Sequence, residues 1–288
     1  MPPSPHVFQR TATGYYPFDE RTEMKIDLTG KLAIVSGSTA GIGLGVSKAL
    51  ALCGATVVIV GRAAAKVDEA IATLTREVPG AAVRGCVADL ATAEGAQRLF
   101  DAQPSADILV NNLGVFNEVD FFETPDEEWE RFYQVNVISG VRLSRHYVNG
   151  MVARQWGRVI FVSSESGIAI PANMINYGTT KAANLAVSHG LAKRLAGTGV
   201  TVNAILPGPT FTDGVEEMLK DAIAQSGRSA REEADHFVRN ARPSSIIQRA
   251  AEVDEVANLV AYLASPLSSA TTGAALRVDG GVVDSMAI

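Results

Sequence analysis

Tyr177-Gly178-Thr179-Thr180-Lys181 is the stretch of this 288-residue chain best equipped for chemistry. On a helix, a tyrosine and a lysine four residues apart project from the same face, so the ammonium can act on the ionisation of the phenol. A free phenol titrates near ~10, and a neighbouring cation that favours the phenolate brings it closer to the pH at which general acid-base catalysis works best. Ser164, thirteen positions upstream, adds a hydroxyl that can donate or accept. The Tyr-x-x-x-Lys spacing alone is common in helices where the ring packs and the ammonium is solvated. Its weight therefore depends on the elements around it.

Those elements follow a rhythm. Short β-branched apolar runs at 31–36, 55–60, 82–87, 107–111, 157–163, 200–206 and 274–278 read as strands. Amphipathic stretches at 42–53, 64–77, 92–102, 126–153, 175–196 and 253–264 read as helices, the fourth opened by Pro125-Asp126-Glu127-Glu128. Strands that are apolar almost throughout, alternating with helices, call for a parallel sheet covered on both faces. That is an α/β doubly wound (Rossmann) fold with three α/β/α layers. Ligands in such folds bind beyond the carboxyl ends of the strands.

The first strand runs into Ser36-Gly37-Ser38-Thr39-Ala40-Gly41-Ile42-Gly43, which opens the first helix. Glycines let the backbone approach a pyrophosphate, and free N-H groups with the helix dipole supply positive character. With this Gly-x-x-x-Gly-x-Gly spacing the chain resembles the single-domain branch of the short-chain dehydrogenase/reductase family, over about residues 28–281, with 3-oxoacyl thioester reductases as the most similar subclass. The resemblance implies a nicotinamide dinucleotide held by Gly37, Ser38, Thr39, Gly41, Ile42 and Gly43. The second strand ends at Gly61-Arg62, where the adenosine ribose would lie. Gly61 leaves the NAD-type acidic position empty and Arg62 can pair with a 2'-phosphate, so NADP(H) is expected, with NAD(H) as the alternative. Asp89 and Leu90 match the family's adenine contact, Asp89 also being suited to cap a helix. Asn111-Asn112-Leu113-Gly114 resembles the family's Asn-Asn-Ala-Gly segment, with Asn112 and Gly114 at the cofactor and Leu113 larger than the usual alanine. Pro207, Gly208, Thr210 and Thr212 match the segment bordering the nicotinamide.

The same resemblance implies a catalytic tetrad of Asn136, Ser164, Tyr177 and Lys181. Tyr177 would donate its proton to a carbonyl in reduction, Ser164 would steady the carbonyl oxygen, and Lys181 would favour Tyr177 ionisation and bind the nicotinamide ribose. Asn136 would anchor a water leading to solvent. The reaction implied is hydride exchange between the nicotinamide and a carbonyl or secondary alcohol, reversible in direction. A nucleotide-binding scaffold without turnover is the alternative from another class.

Composition narrows the setting. A net charge of -6, with no Lys/Arg stripe, argues against nucleic-acid and anionic-membrane partners. Cys53 and Cys86 read as inert buried thiols, and four scattered histidines offer no metal spacing. Residues 1–23 read as a loose proline-containing arm before one domain over 24–288, and no apolar span suits a membrane, which gives a cytoplasmic expectation. Residues 210–248 are expected to form a lid, with Met174, Ile175, Phe211, Val215, Met218 and Phe237 offering apolar surface to a small-molecule substrate. The family resemblance also implies a homo-oligomer, a tetramer or dimer.

Overall fold

The computed structural model describes residues 25–286, so the expected arm at 1–23 lies outside the described residues. Seven strands alternate with helices: β1 (Leu32–Val35), α1 (Gly41–Leu52), β2 (Thr56–Gly61), α2 (Ala64–Glu77), β3 (Val83–Val87), α3 (Ala93–Ala102) and β4 (Ile108–Asn111) form the first half. The second half comprises α4 (Asp126–Tyr133), α5 (Ser139–Ala153), β5 (Gly157–Val162), α6 (Ile175–Arg194), β6 (Val200–Pro207), α7 (Asp213–Met218), α8 (Lys220–Ser226), α9 (Ala230–Ala241), α10 (Val253–Ala264) and β7 (Ala275–Val278). All pairings are parallel, in the order β3-β2-β1-β4-β5-β6-β7.

The two-residue side-chain period of a strand explains how one sheet serves two cores. Val35, Val57, Ile59, Val110, Ile160 and Ile205 face one side, where Val46 and Leu50 of α1, Leu74 of α2 and Val260 of α10 cover them. Their neighbours Ile34, Val58, Leu109, Val159, Phe161 and Val202 face the other side, under Leu99 of α3, Leu143 and Met151 of α5 and Leu191 of α6. Each fully buried aliphatic side chain contributes about 1.5–3 kcal/mol, so the alternation also fixes the register. Every residue of β5 and β6 is buried, as expected for central strands, whereas Arg84, Gly85 and Val87 of edge strand β3 are exposed.

The order reverses between β1 and β4, which opens a crevice at their carboxyl ends. Within 210–248, α7, α8 and α9 share a small core of Leu219, Ala234 and Val238 with Phe211 and Phe237 packed against it. Ser229 and Glu232 close a capping box at the start of α9. Arg231 ties this unit to α10 through Glu252 and the Ala250 carbonyl. No helix among the described residues is long and apolar enough to cross a membrane.

Candidate active site

The crevice is a cavity of about 460 Å³ that runs from Arg62 and Asp89 at one end to Ser164, Tyr177 and Lys181 at the other. At the first end the β1–α1 turn supplies backbone. Gly41 sits at φ +53°, where a side chain would be strained. A Cβ added at Gly43 would strike the Gly37 carbonyl and the Asn112 amide. Asn112 holds this turn from the neighbouring strand by donating through Nδ2 to the carbonyls of Ser36 (2.9 Å) and Gly37 (3.1 Å). The Ser36 hydroxyl accepts from the backbone N-H groups of Asn112 and Leu113, both at 2.9 Å, and so joins the ends of β1 and β4. Leu113 packs against the core beneath α5 and α6, which accommodates its extra size.

Most residues expected at a dinucleotide lie along this cavity: Gly37, Thr39, Gly41, Ile42 and Gly43 in the turn, Arg62, Asp89 and Leu90 at the ends of β2 and β3, and Asn112 and Gly114 after β4. Pro207, Gly208, Thr210 and Thr212 border it after β6. Ser38 departs from the expectation. Its hydroxyl is fully buried, donates to the Val35 carbonyl (2.7 Å) and accepts from the Val60 N-H (2.9 Å). It ties β1 to β2 and forms no part of the wall. Asp89 does not cap α3 either; its carboxylate accepts from Ala91 N-H, and Thr92 takes the capping position by accepting from Gly95 N-H. Thr212 caps α7 in the same manner. Arg62 is exposed and makes no ion pair with a described residue.

At the other end, Tyr177 occupies the first turn of α6 and Ser164 ends the run out of β5, ahead of a 3-10 turn over Glu165–Gly167. Lys181 is buried, donates from Nζ to the Val162 carbonyl (2.9 Å), and lies 5.4 Å from the centre of the Tyr177 ring. Ser163 anchors α6 by donating to the Lys181 carbonyl (2.7 Å), which leaves Ser164 as the serine directed at Tyr177. Phe116 packs edge-on against Tyr177, with ring centres 6.2 Å apart.

The expected continuous helix over 126–153 is interrupted. A π-helical turn, Gln134–Ile138, separates α4 from α5 and carries Asn136. Such turns insert one extra residue and turn a side chain out of the helical register, often at functional sites. Asn136 Oδ1 accepts from Val115 N-H (2.8 Å), while Nδ2 donates to the Val115 carbonyl (3.0 Å) and to Thr180 Oγ1 (3.0 Å). Asn136 thus stands behind the cavity wall, joining the loop after β4 to α6. A Cβ added at Gly114 would lie 3.3 Å from Lys181 Nζ and 3.6 Å from Asn136 Oδ1, which places both polar groups beside the same glycine.

Electrostatics here differ from the simple expectation that Lys181 acidifies the phenol. Burial holds the Tyr177 phenol well above its ordinary range, the nearby Glu165 carboxylate raises it further, and only the Ser164 hydroxyl and Arg242 oppose this. Burial also brings Lys181 down to about 8, against a smaller upward pull from Glu165. Both shifts have one leading cause, because burial disfavours the charged form of either group. Glu165 and Arg242 are charged side chains of this end of the cavity that sequence reasoning passed over. An acid immediately after Ser164 was the available signal. Of the apolar residues expected at the substrate end, Met174, Val215, Met218 and Phe237 line the cavity. Phe211 instead packs inside the α7–α9 unit, and Ile175 faces a separate cleft beside Phe121 and Phe122.

Comparison with known proteins places these features in a family. A family model described as enoyl-(acyl carrier protein) reductase matches residues 37–283. The oxidoreductase YvaG of Bacillus subtilis (strain 168) is 46% identical over 263 residues, which span 91% of this chain and all of the relative. The 3-oxoacyl-(acyl-carrier-protein) reductase FabG of Aquifex aeolicus (strain VF5) is 32% identical over 90% of this chain and all of its own length. Among solved structures, L-sorbose reductase from Gluconobacter frateurii, complexed with NADPH and L-sorbose, superposes with a TM-score of 0.85 at 30% identity, covering 91% of this chain and all of that one. A parallel seven-stranded sheet, a glycine turn at its switch point and relatives matched over their full length agree, and the chain belongs to the short-chain dehydrogenase/reductase family of oxidoreductases.

Proposed function

We propose that this protein is an NADP(H)-dependent oxidoreductase that interconverts a ketone and a secondary alcohol, with Tyr177 as the group that gives and takes the proton. The observation that carries the reading is the single cavity that joins the glycine turn to Ser164, Tyr177 and Lys181. The cofactor fits what surrounds that cavity: a turn whose Gly43 leaves no room for a side chain, backed by Asn112, and a free guanidinium at the ribose end. Gly37, Gly41, Ile42 and Gly43 would hold the pyrophosphate, Arg62 the 2'-phosphate, Asp89 the adenine, and Lys181 with Thr212 the nicotinamide half. An acidic side chain at position 61 would collide with the Thr39 methyl group, a further reason to favour NADP(H) over NAD(H).

When bound, the nicotinamide supplies the hydride in reduction and accepts it in oxidation. The chain's own residues manage everything else. Tyr177 donates its proton to the carbonyl oxygen, and Ser164 stands beside it to orient phenol and oxygen together. Lys181 can release a proton near pH 8, close to working conditions, so it is suited to reload Tyr177 from the side of Gly114 and Asn136. Asn136 keeps the loop after β4 against α6, which fixes the distance between the two halves of the cavity. The α7–α9 unit acts as a lid whose Met218 and Phe237 exclude water from the reacting end.

For the substrate, the charged and hydroxyl groups at the reacting end, Glu118, Glu165, Ser166 and Arg242, favour a small polyhydroxylated ketone of the kind that the Gluconobacter enzyme was crystallised with. A second reading, a 3-oxoacyl thioester, is supported by the FabG relative and by the apolar lid residues. NADPH consumption assayed with ketoses, 3-oxoacyl thioesters and simple ketones separates the two. Association of copies of the chain through α5 and α6 belongs to the same reading, supported by the family resemblance; light scattering in solution tests it.

A further inference from the structure

Glu165 stands apart among the charged groups of this cavity. It is a carboxylate only 4% exposed, it adjoins the Ser164 hydroxyl, and no step of the proton transfer described above uses it. Ser164 donates its hydroxyl proton to Glu165 Oε2. Oε1 accepts from Ser166 Oγ at 3.1 Å and from Arg242 Nε at 3.2 Å. Arg242 is the residue that follows α9, so its side chain comes from the lid and reaches across 77 positions of sequence to close the pair. The guanidinium also donates to its neighbouring Ala241 carbonyl and rests 5.8 Å from the ring of Phe237, both on the lid.

A hydroxyl has one proton to give. With that proton directed at Glu165, the Ser164 oxygen accepts from Ser166 N-H at 3.1 Å. We propose that Glu165 and Arg242 are a positioning pair: Arg242, delivered by the closed lid, grips Glu165, and Glu165 directs the Ser164 proton and thereby sets how tightly Tyr177 holds its own. This rests on Tyr177 being the proton donor of the proposed reaction.

Charge makes the pair functional as well as structural. A lone buried carboxylate next to a phenol opposes phenolate formation, and a guanidinium bound to that carboxylate cancels much of the effect. The two groups act on Tyr177 in those opposite senses, Glu165 raising and Arg242 lowering its proton affinity. Lid closure therefore brings the phenol back toward a usable proton affinity only when Arg242 is in place. The other charged groups on the cavity are Lys181 from α6 and Glu118 from the loop after β4, with Arg62 and Asp89 at the distant adenosine end. None of these is delivered by the lid.

The test is the ultraviolet titration of the Tyr177 phenol in the cofactor-free protein, each variant measured against the same variant carrying Tyr177→Phe. Glu165→Gln is expected to bring ionisation of Tyr177 down by about one pH unit, and Arg242→Met to move it up by a similar amount, with the double variant between them. Arg242→Lys, which keeps the charge and loses the Nε geometry, serves if Arg242→Met does not fold, and is expected to shift the titration less. The pH profile of alcohol oxidation should move in the same directions. Superimposable titrations for folded wild type, Glu165→Gln and either Arg242 variant would overturn the pair. A wild-type protein that turns over no carbonyl would defeat the proposed function instead, and the phenol titration would still score this inference.

Discussion

The two ends of the cavity are built on opposite electrostatic plans. At the glycine turn, polarity comes from fixed backbone dipoles and neutral amides, and the charged side chains at that end, Arg62 and Asp89, make no ion pair with a described residue. At the Tyr177 end, Glu165 and Lys181 are buried with Arg242 largely covered, and Glu165 and Arg242 both act on the protonation of Tyr177. Fixed dipoles hold a ligand of constant charge without reorganising, whereas titratable groups in a dry site exchange protons at the cost of sitting in an unfavourable medium. The difference supports the proposed division, with binding at one end and chemistry at the other.

Substitutions should respect that division. Tyr177→Phe keeps the ring against Phe116 and removes only the hydroxyl; turnover is expected to fall about a hundred to ten thousand fold, while NADPH affinity from fluorescence titration changes no more than about threefold. If both fell together, the two ends would not be separate devices. Gly43→Ala is the converse. Its Cβ collides with the Gly37 carbonyl and the Asn112 amide, so NADPH affinity should drop roughly 10–100-fold while the pH dependence of the remaining activity keeps its shape.

Arg62→Ala sharpens the picture of the binding end. Loss of a charge-assisted contact worth about 1.5–3 kcal/mol should reduce the preference for NADPH over NADH by roughly 10–100-fold, with NADH kinetics nearly unchanged. An unaltered ratio would remove Arg62 from the account.

The smallest effect is on stability. Lys181 titrates at about 8 in the fold against ~10.4 in an unfolded chain, so its protonated form is disfavoured by folding. Below pH 8 the buried ammonium destabilises the native state. Between the two values the unfolded state binds more protons and wild-type stability climbs with pH. Lys181→Met should therefore be more stable than wild type at pH 7, by about 1–3 kcal/mol in urea unfolding, and the gap should narrow as pH rises through that window. A variant less stable at pH 7 would show that the Val162 contact outweighs the burial cost.

Legibility in the sequence follows the same division. The strands and the glycine turn depend on local signals, β-branched runs and residues that tolerate unusual φ, and their positions came within a residue or two of the observed bounds. The π-helical turn at Asn136 did not announce itself, because 126–153 carries an unbroken helical pattern and the extra residue is held by bonds to Val115 and Thr180 from elsewhere in the chain. The Glu165–Arg242 pair was hidden for the same reason: its members belong to separate elements that only the folded chain brings together. Ser38 misled because a serine in a glycine-rich turn looks available, whereas the β2 backbone claims its hydroxyl. The phenol's high proton affinity was illegible too, since a four-residue spacing reports that Lys181 is near and says nothing of how dry the site is.

The most direct test of the central claim is isotope transfer. Incubating the protein with NADPH deuterated at the transferable position of C4, together with ketoses and 3-oxoacyl thioesters, and examining the products by mass spectrometry asks whether this chain performs hydride transfer under Tyr177 control. Wild type is expected to give a secondary alcohol carrying one deuterium on the carbinol carbon, and Tyr177→Phe to form it at least a hundredfold more slowly. Alcohol without the label, or equal labelling rates for wild type and Tyr177→Phe, would contradict the account.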